Sequence, residues 1–210
     1  MSSVTTSRPV FRAPRQSLLC WSRFFFLGGI VALSYVAATL IDAKLYQARA
    51  TAEFTEALSA PKPVLPGDVT PSSPAPTVAG SRTPLGRIEI SSLGVAAMIL
   101  EGVDDKTLRR AVGHIPGTAL PGQPGNVGLA GHRDTFFRAL RNIHKDDEIT
   151  LQTLNGLYRY SVDLTQVVDP GQTEVLNHSD DSILTLVTCY PFYFVGSAPQ
   201  RFIVRAHRIL

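Results

Sequence analysis

Residues 24–41, FFFLGGIVALSYVAATLI, run for 18 positions without a charge. At ~1.5 Å rise per residue a helix of that length spans about 27 Å, close to the ~30 Å hydrocarbon core of a bilayer. Arg8, Arg12, Arg15 and Arg23 precede the run, and residues 1–23 hold no acidic group. Basic residues stay on the cytoplasmic side of a membrane. The expectation is a single-pass anchor in the lipid bilayer through residues 24–41, with residues 1–23 a basic cytoplasmic tail and everything after the anchor extracytoplasmic. The alternative is a cleaved signal peptide. Ala48-Arg49-Ala50 has the small-x-small pattern of a cleavage site, but it lies well past the apolar run, and that run is long for a signal core.

Three textures follow. Residues 42–58 mix Ala, Leu, Glu, Lys and Gln, good helix formers, and predict a juxtamembrane continuation of the helix into the aqueous phase. Residues 59–84 hold seven prolines and almost no large apolar group. Such a stretch cannot bury enough surface to fold, and reads as an extended spacer. Residues 85–210 then form one domain. They carry 12 Lys and Arg against 13 Asp and Glu, so the net charge of +3 belongs to the N-terminal part. A nearly neutral domain has no nucleic-acid footprint, and none is expected as a partner.

Within 85–210, short β-branched runs alternate with turn residues. Strands are predicted at 86–90, 96–100, 127–130, 148–154, 158–168, 183–189 and 202–207, with Asn155-Gly156 marking a hairpin. Short helices are predicted at 104–111 and 135–140. Many strands and few helices imply a mainly β fold, a small and mostly antiparallel barrel or sandwich.

Cys189 is the residue that asks for a function. It ends the apolar run TLVTC, and the only other cysteine, Cys20, lies on the far side of the predicted anchor. A disulfide within the chain is then excluded by topology. Free cysteine is commonly a small buried hydrophobe, but an unpaired thiol in an exported domain is a liability unless it is used. Cys20 itself is read as an interfacial residue.

Five histidines compete to be its base. His144 and His178 sit among aspartates in polar stretches, His207 lies in the last strand, and His114 precedes a turn. His132 alone ends a buried-looking strand, NVGLAG, directly after a glycine. Glycine there permits close approach by a substrate or another backbone. Arg201 begins the strand that follows Cys189 after a loop rich in aromatics, Gly and Pro. One Cys, one His and one Arg, each at a strand edge, suggest a thiol nucleophile, a base and a cation. The bland reading of Arg201 is a surface strand residue.

Other patterns are dismissed. Gly122, Gly125, Gly128 and Gly131 recur every third residue, but no Gly-Lys-Ser/Thr follows. His132-Arg133-Asp134 echoes a kinase loop, yet Ala139 stands where Asn is required. No histidines have metal-ligand spacing, and Glu101, Asp104 and Asp105 read as a solvated helix start, so no metal or cofactor is expected.

TLVTC at 185–189, Arg201 opening the next strand, and the segment GHIPGTALPGQPGNVGLAGHRDTFFRAL at 113–140 together resemble the sortase family. The His132-Arg133-Asp134 context and the Tyr190-Pro191 after the cysteine are most similar to its class D members. The resemblance covers about residues 85–210, and it implies an eight-stranded sortase-type β-barrel with short helices, with Cys189, His132 and Arg201 at one end. It implies a cysteine transpeptidase that cuts a Leu-Pro-any-Thr-Gly-like sorting signal of a secreted surface protein after Thr. The acyl group passes through a Cys189 thioester to an amine acceptor, a cell-wall precursor or a pilin lysine. His132 would be the general acid/base and Arg201 the oxyanion or substrate stabiliser. Thr188, Tyr190, Pro191 and Asn126 are the further candidates for substrate contact. The aromatics of 190–194 and the loop at 196–199 either line a groove or simply cap the barrel.

Two other functions compete. An L,D-transpeptidase would want a Ser/His-Gly-Cys context, whereas Val187-Thr188 precede Cys189. A non-catalytic, membrane-tethered binding barrel would have no need of all three residues.

Overall fold

Apolar side chains at every second position give each strand-like run one face that must be buried, and a closed barrel buries all of them without leaving an edge. The computed structural model describes residues 15–59, 84–194 and 196–209. Eight strands are present: β1 (Gly86–Ile90), β2 (Val95–Glu101), β3 (Val112–His114), β4 (Asn126–Ala130), β5 (Glu148–Thr153), β6 (Gly156–Val168), β7 (Ile183–Tyr190) and β8 (Gln200–Arg208). They close in the order β1-β2-β3-β4-β7-β8-β6-β5, with β5 back against β1. The β2–β3 and β4–β7 pairs are parallel and the other pairs antiparallel. Ile88, Ile90, Leu129, Leu151, Tyr160, Leu184, Leu186 and Val204 fill the interior. The mainly β, eight-stranded barrel expected from the sequence is what the chain forms.

Seven strands fall on the predicted β-branched runs, and β3 is additional. It has three residues, too few to show a period, and Gly113 lies so close to the chain before α2 that a Cβ would stand 2.3 Å from Gly102 O. The hairpin between β5 and β6 turns at Leu154-Asn155, one residue earlier than expected, because Thr153 pairs with Gly156.

The helix expected at 104–111 is α2 (Asp105–Arg110). Asp104 caps it, accepting from Lys106 N at 2.9 Å and Thr107 N at 3.1 Å. The Thr107 hydroxyl adds a third bond at 2.7 Å, and these bonds hold the Asp104 carboxyl below the usual range. The helix expected at 135–140 is instead a short 3-10 turn, Arg138–Asn142. The preceding residues turn back on His132, whose carbonyl accepts from Thr135 N and Phe137 N.

Helix α1 runs Arg15–Ser59. Its residues up to Asp42 fall in one unit, and the remainder belongs with the barrel in a second. In the first unit the apolar side chains described from Phe25 onward are exposed, Phe26 and Leu33 each at 71%. A window of the helix has a hydropathy of 1.8, long and apolar enough to cross a membrane. Residues 1–14 of the basic tail, and the proline-rich spacer apart from Ser59 and Pro84, lie outside the described residues.

The part of α1 from Ala43 packs against the barrel. Ala50 and Phe54 pack with Met98 of β2, which is fully buried, and Tyr46 joins them. Gln47 sits where the sheet has a gap. β3 begins only opposite Ile99, so Met98 has no β3 partner in the ladder. The Gln47 amide fills that place, accepting from Met98 N at 2.9 Å and donating to Arg110 O at 2.6 Å. One side chain thus satisfies two backbone groups the short strand leaves over.

Candidate active site

Side chains alternate across a strand, so register decides which ones meet. In β7, Leu184 and Leu186 point into the core, as do Val127 and Leu129 of β4 and Val204 and Ala206 of β8. Cys189, an odd number of positions from Leu186, therefore leaves β7 on the outer face. Its direct partner across the β7–β8 ladder is Arg201, which shares that face. On the other side of β7, Ala130 pairs with Val187 in parallel register. The pairing continues one residue beyond β4, where Gly131 N donates to Val187 O at 3.1 Å. His132 follows at once, in the turn that leaves β4 on that side of β7. The nucleophile candidate thus stands on β7 with Arg201 across the ladder on one side and, on the other, β4, whose following turn carries His132.

The turn carrying His132 is held tightly. Thr188, 1% exposed, donates its hydroxyl to Gly131 O at 2.7 Å. A Cβ on Gly131 would stand 2.7 Å from Cδ2 of the fully buried Phe137. The glycine's close approach is therefore to a core ring, and it fixes the backbone from which the imidazole projects. His132 and Cys189 are both half-buried, and Cys189 is a free thiol.

Arg201 Nη1 donates to Gln200 O at 3.0 Å and Ala198 O at 3.3 Å. These bonds anchor one end of the guanidinium to the loop between β7 and β8 and leave Nε and Nη2 without a hydrogen bond among the described residues. A second arginine, missed by the sequence reading, holds the same loop. Arg133 Nη1 donates to Pro191 O at 3.0 Å, and its Nη2 donates to Phe194 O at 2.7 Å and Gly196 O at 2.9 Å.

The further contact candidates are distributed differently. Thr188 and Tyr190 lie on the inner face, opposite Cys189. The Tyr190 ring stacks on Phe202 at 6.3 Å and meets Phe192 edge-on at 6.1 Å, and Phe192 and Phe202 pack against the core. These three rings cap the end of the barrel, whereas Tyr193 and Phe194 are exposed. Pro191 is half-buried and turns its carbonyl to Arg133. Asn126 is not brought to this end. It starts β4, and its amide donates to Val175 O and Asn177 O at 2.9 and 3.1 Å and accepts from the Thr185 hydroxyl at 2.7 Å. It pins the 3-10 turn Thr173–Leu176 against the outer face of β4 and β7.

The rival histidines are engaged elsewhere. His114 is 2% exposed, with Nδ1 2.7 Å from Glu101 Oε2 and Nε2 2.9 Å from Ala119 O. His207 faces Asp163 at the far end of β7, opposite Ile183. His144 and His178 are exposed.

The Sortase domain family model matches residues 88–209, from within β1 to the last described residue. The chain belongs to the sortase family. Sortases are cysteine transpeptidases. Sortase D of Bacillus subtilis (strain 168) is 36% identical over 126 residues, 59% of this chain and 63% of that protein. Sortase A of Listeria monocytogenes is 30% identical over 109 residues, 50% of this chain and 49% of that protein. The chain therefore spans between about half and two thirds of the length of these two relatives. The solved structure of a Clostridium perfringens sortase D5 transpeptidase superposes with a TM-score of 0.63 at 28% identity. That match covers 79% of this sortase and 99% of the solved chain.

Proposed function

We propose that this sortase is a membrane-anchored enzyme of the class D type that cleaves a Leu-Pro-any-Thr-Gly-like sorting signal after Thr. It transfers the acyl group to an amine, a cell-wall precursor or a pilin lysine. The observation that supports this reading is the β7–β8 pairing of Cys189 with Arg201, beside the turn that carries His132 away from β4, the strand on the other side of β7. The Cys189 thiolate attacks the threonyl carbonyl carbon, and the oxyanion that forms is met by N–H groups of Arg201. One such donor contributes about 3 kcal/mol. Collapse breaks the Thr–Gly C–N bond, the His132 imidazolium gives its proton to the leaving amine, and a thioester remains. An incoming amine attacks that thioester and loses its proton to His132, and the thiolate departs. Water in place of the amine gives slow hydrolysis as a side reaction.

Residues 24–41 would span the membrane, with Arg8, Arg12, Arg15 and Arg23 holding the N-terminus in the cytoplasm and the barrel outside. A reporter fused after Leu58 should be active only outside the cytoplasm. The catalytic test uses the full chain in detergent with a panel of sorting peptides and amine acceptors, including Gly peptides and a diaminopimelate-type amine. Turnover through a hydroxylamine-sensitive adduct on Cys189, lost in C189A, is the expected result. If no peptide in a broad panel is cut, or C189A retains full activity, the mechanism fails. Binding of the same peptides without cleavage would favour a binding barrel.

A further inference from the structure

The three carbonyls bound by Arg133 belong to residues 191–199, between Cys189 and Arg201. The described residues among them lie beyond the last ladder pair, Tyr190 with Gln200, so their carbonyls have no neighbouring strand to bond with. Within the loop, Phe194 N donates to Pro191 O at 3.3 Å. Among the described residues, the other carbonyl bonds come from two guanidiniums, Arg133 to residues 191, 194 and 196 and Arg201 to 198 and 200. Arg133 also places its Cζ 6.0 Å from the Phe194 ring centre, and Arg141 places its own 5.5 Å from that of the exposed Tyr193. The outer aromatics of the loop are thus held by cations from the segment that follows β4. Arg133 is the next residue after His132, so the backbone that carries the base also fixes the loop that follows the nucleophile.

We propose that Arg133 is a specificity-determining positioning residue, which clamps the β7–β8 loop into the wall that a sorting peptide must fit beside Cys189. This deepens the sortase reading above and rests on it for the identity of the substrate. The side chain has to be arginine. A planar fork with five N–H donors can serve three diverging carbonyls and a ring at once, whereas an ammonium is a single compact charge. The clamp touches neither the thiol nor the scissile bond in this arrangement, so its loss falls on substrate fit and leaves the chemical step alone.

The test compares the full chain with R133M and R133K in detergent, with two readouts. Amide hydrogen exchange over residues 191–199 needs no substrate. It should accelerate in R133M, and less in R133K, while exchange in β4 and β7 is unchanged. Equal exchange in all three proteins overturns the clamp whatever the enzyme cuts. In steady-state turnover of a Leu-Pro-any-Thr-Gly peptide panel, R133M should raise KM roughly tenfold while kcat moves less than about threefold, the pattern of lost substrate fit. Preference among residues at the variable position should flatten. A fall in kcat with KM and preference unmoved overturns the proposal by placing Arg133 in the chemistry. Faster exchange throughout the barrel overturns it too, because Arg133 would then be an ordinary stabilising residue. Failure of the sortase reading shows separately, as absence of turnover in the unmutated chain.

Discussion

Cys189 and Arg201 are direct partners across the β7–β8 ladder, and their side chains leave the sheet on the same face. Side chains so placed have Cβ atoms about 4.5–5.5 Å apart, within reach of one reacting carbonyl. Replacing Arg201 by Ala should lower kcat/KM for a sorting peptide by roughly 10²–10³, the usual loss for one oxyanion donor. R201K should fall between, since it keeps the charge but loses the second donor arm. Full activity in R201A would remove the arginine from the mechanism.

Gly131 and Phe137 are in contact in a way that leaves no room for a Cβ. G131A must move either a buried ring or the turn that carries His132. Overpacking of this kind costs about 1–3 kcal/mol of stability, and kcat should fall because the imidazole is displaced. Combining G131A with F137L should recover part of both. Thermal unfolding and peptide turnover read the two effects, and a G131A protein indistinguishable from the parent would contradict the packing argument.

Gln47 serves two backbone groups of the barrel from a helix the sequence reading had placed in solvent. Q47L should take from the buried Met98 N the acceptor that Gln47 supplies, at about 1–3 kcal/mol for a buried polar group. F54A, which removes a ring only 5% exposed, should destabilise by about 3–5 kcal/mol. Denaturant midpoints of the chain in detergent measure both. No change in either would mean that the helix contributes nothing to the stability of the barrel.

Tyr160 is fully buried with its hydroxyl unpartnered among the described residues. Burial raises its pKa, so the folded protein holds the phenol proton more tightly than the unfolded chain does. The resulting stability is complete below the unfolded value, about 10, and is lost as pH rises through the folded value. Y160F should therefore flatten the alkaline fall in stability. It also removes a buried hydroxyl that makes no bond, so at neutral pH it should be neutral or slightly stabilising. A marked destabilisation at neutral pH would show that the hydroxyl has a partner after all.

What could be read from the sequence followed from what each residue has to signal with. Strands of five or more residues announced themselves by alternation, whereas β3 had three residues, one of them a glycine placed there for close packing. Cys189, His132 and Arg201 stood out because each has a chemistry of its own and a strand end beside it. Arg133 did not, because its partners are carbonyls 58 to 63 positions away, and a carbonyl has no residue identity. Asn126 looked like a contact residue because a polar amide beside a buried strand invites that reading. Its two donated bonds hold a 3-10 turn and the residue after it, which no pattern in the sequence ties to β4. The 3-10 turn at Arg138–Asn142 was read as a helix for a related reason: local propensity cannot see that Phe137 must reach back to Gly131.

The docking of α1 through Gln47 and Phe54 changes what residues 60–83 have to do. Both of their attachment points, Ser59 and Pro84, lie within the same folded unit. The separation of Ser59 and Pro84 is then set by the docked helix and the barrel, and not by the number of residues between them. Loop closure depends only weakly on length, at about 0.6 kcal/mol for each doubling. Insertions and deletions in residues 60–83 should thus be nearly free, while a single change at Gln47 is not.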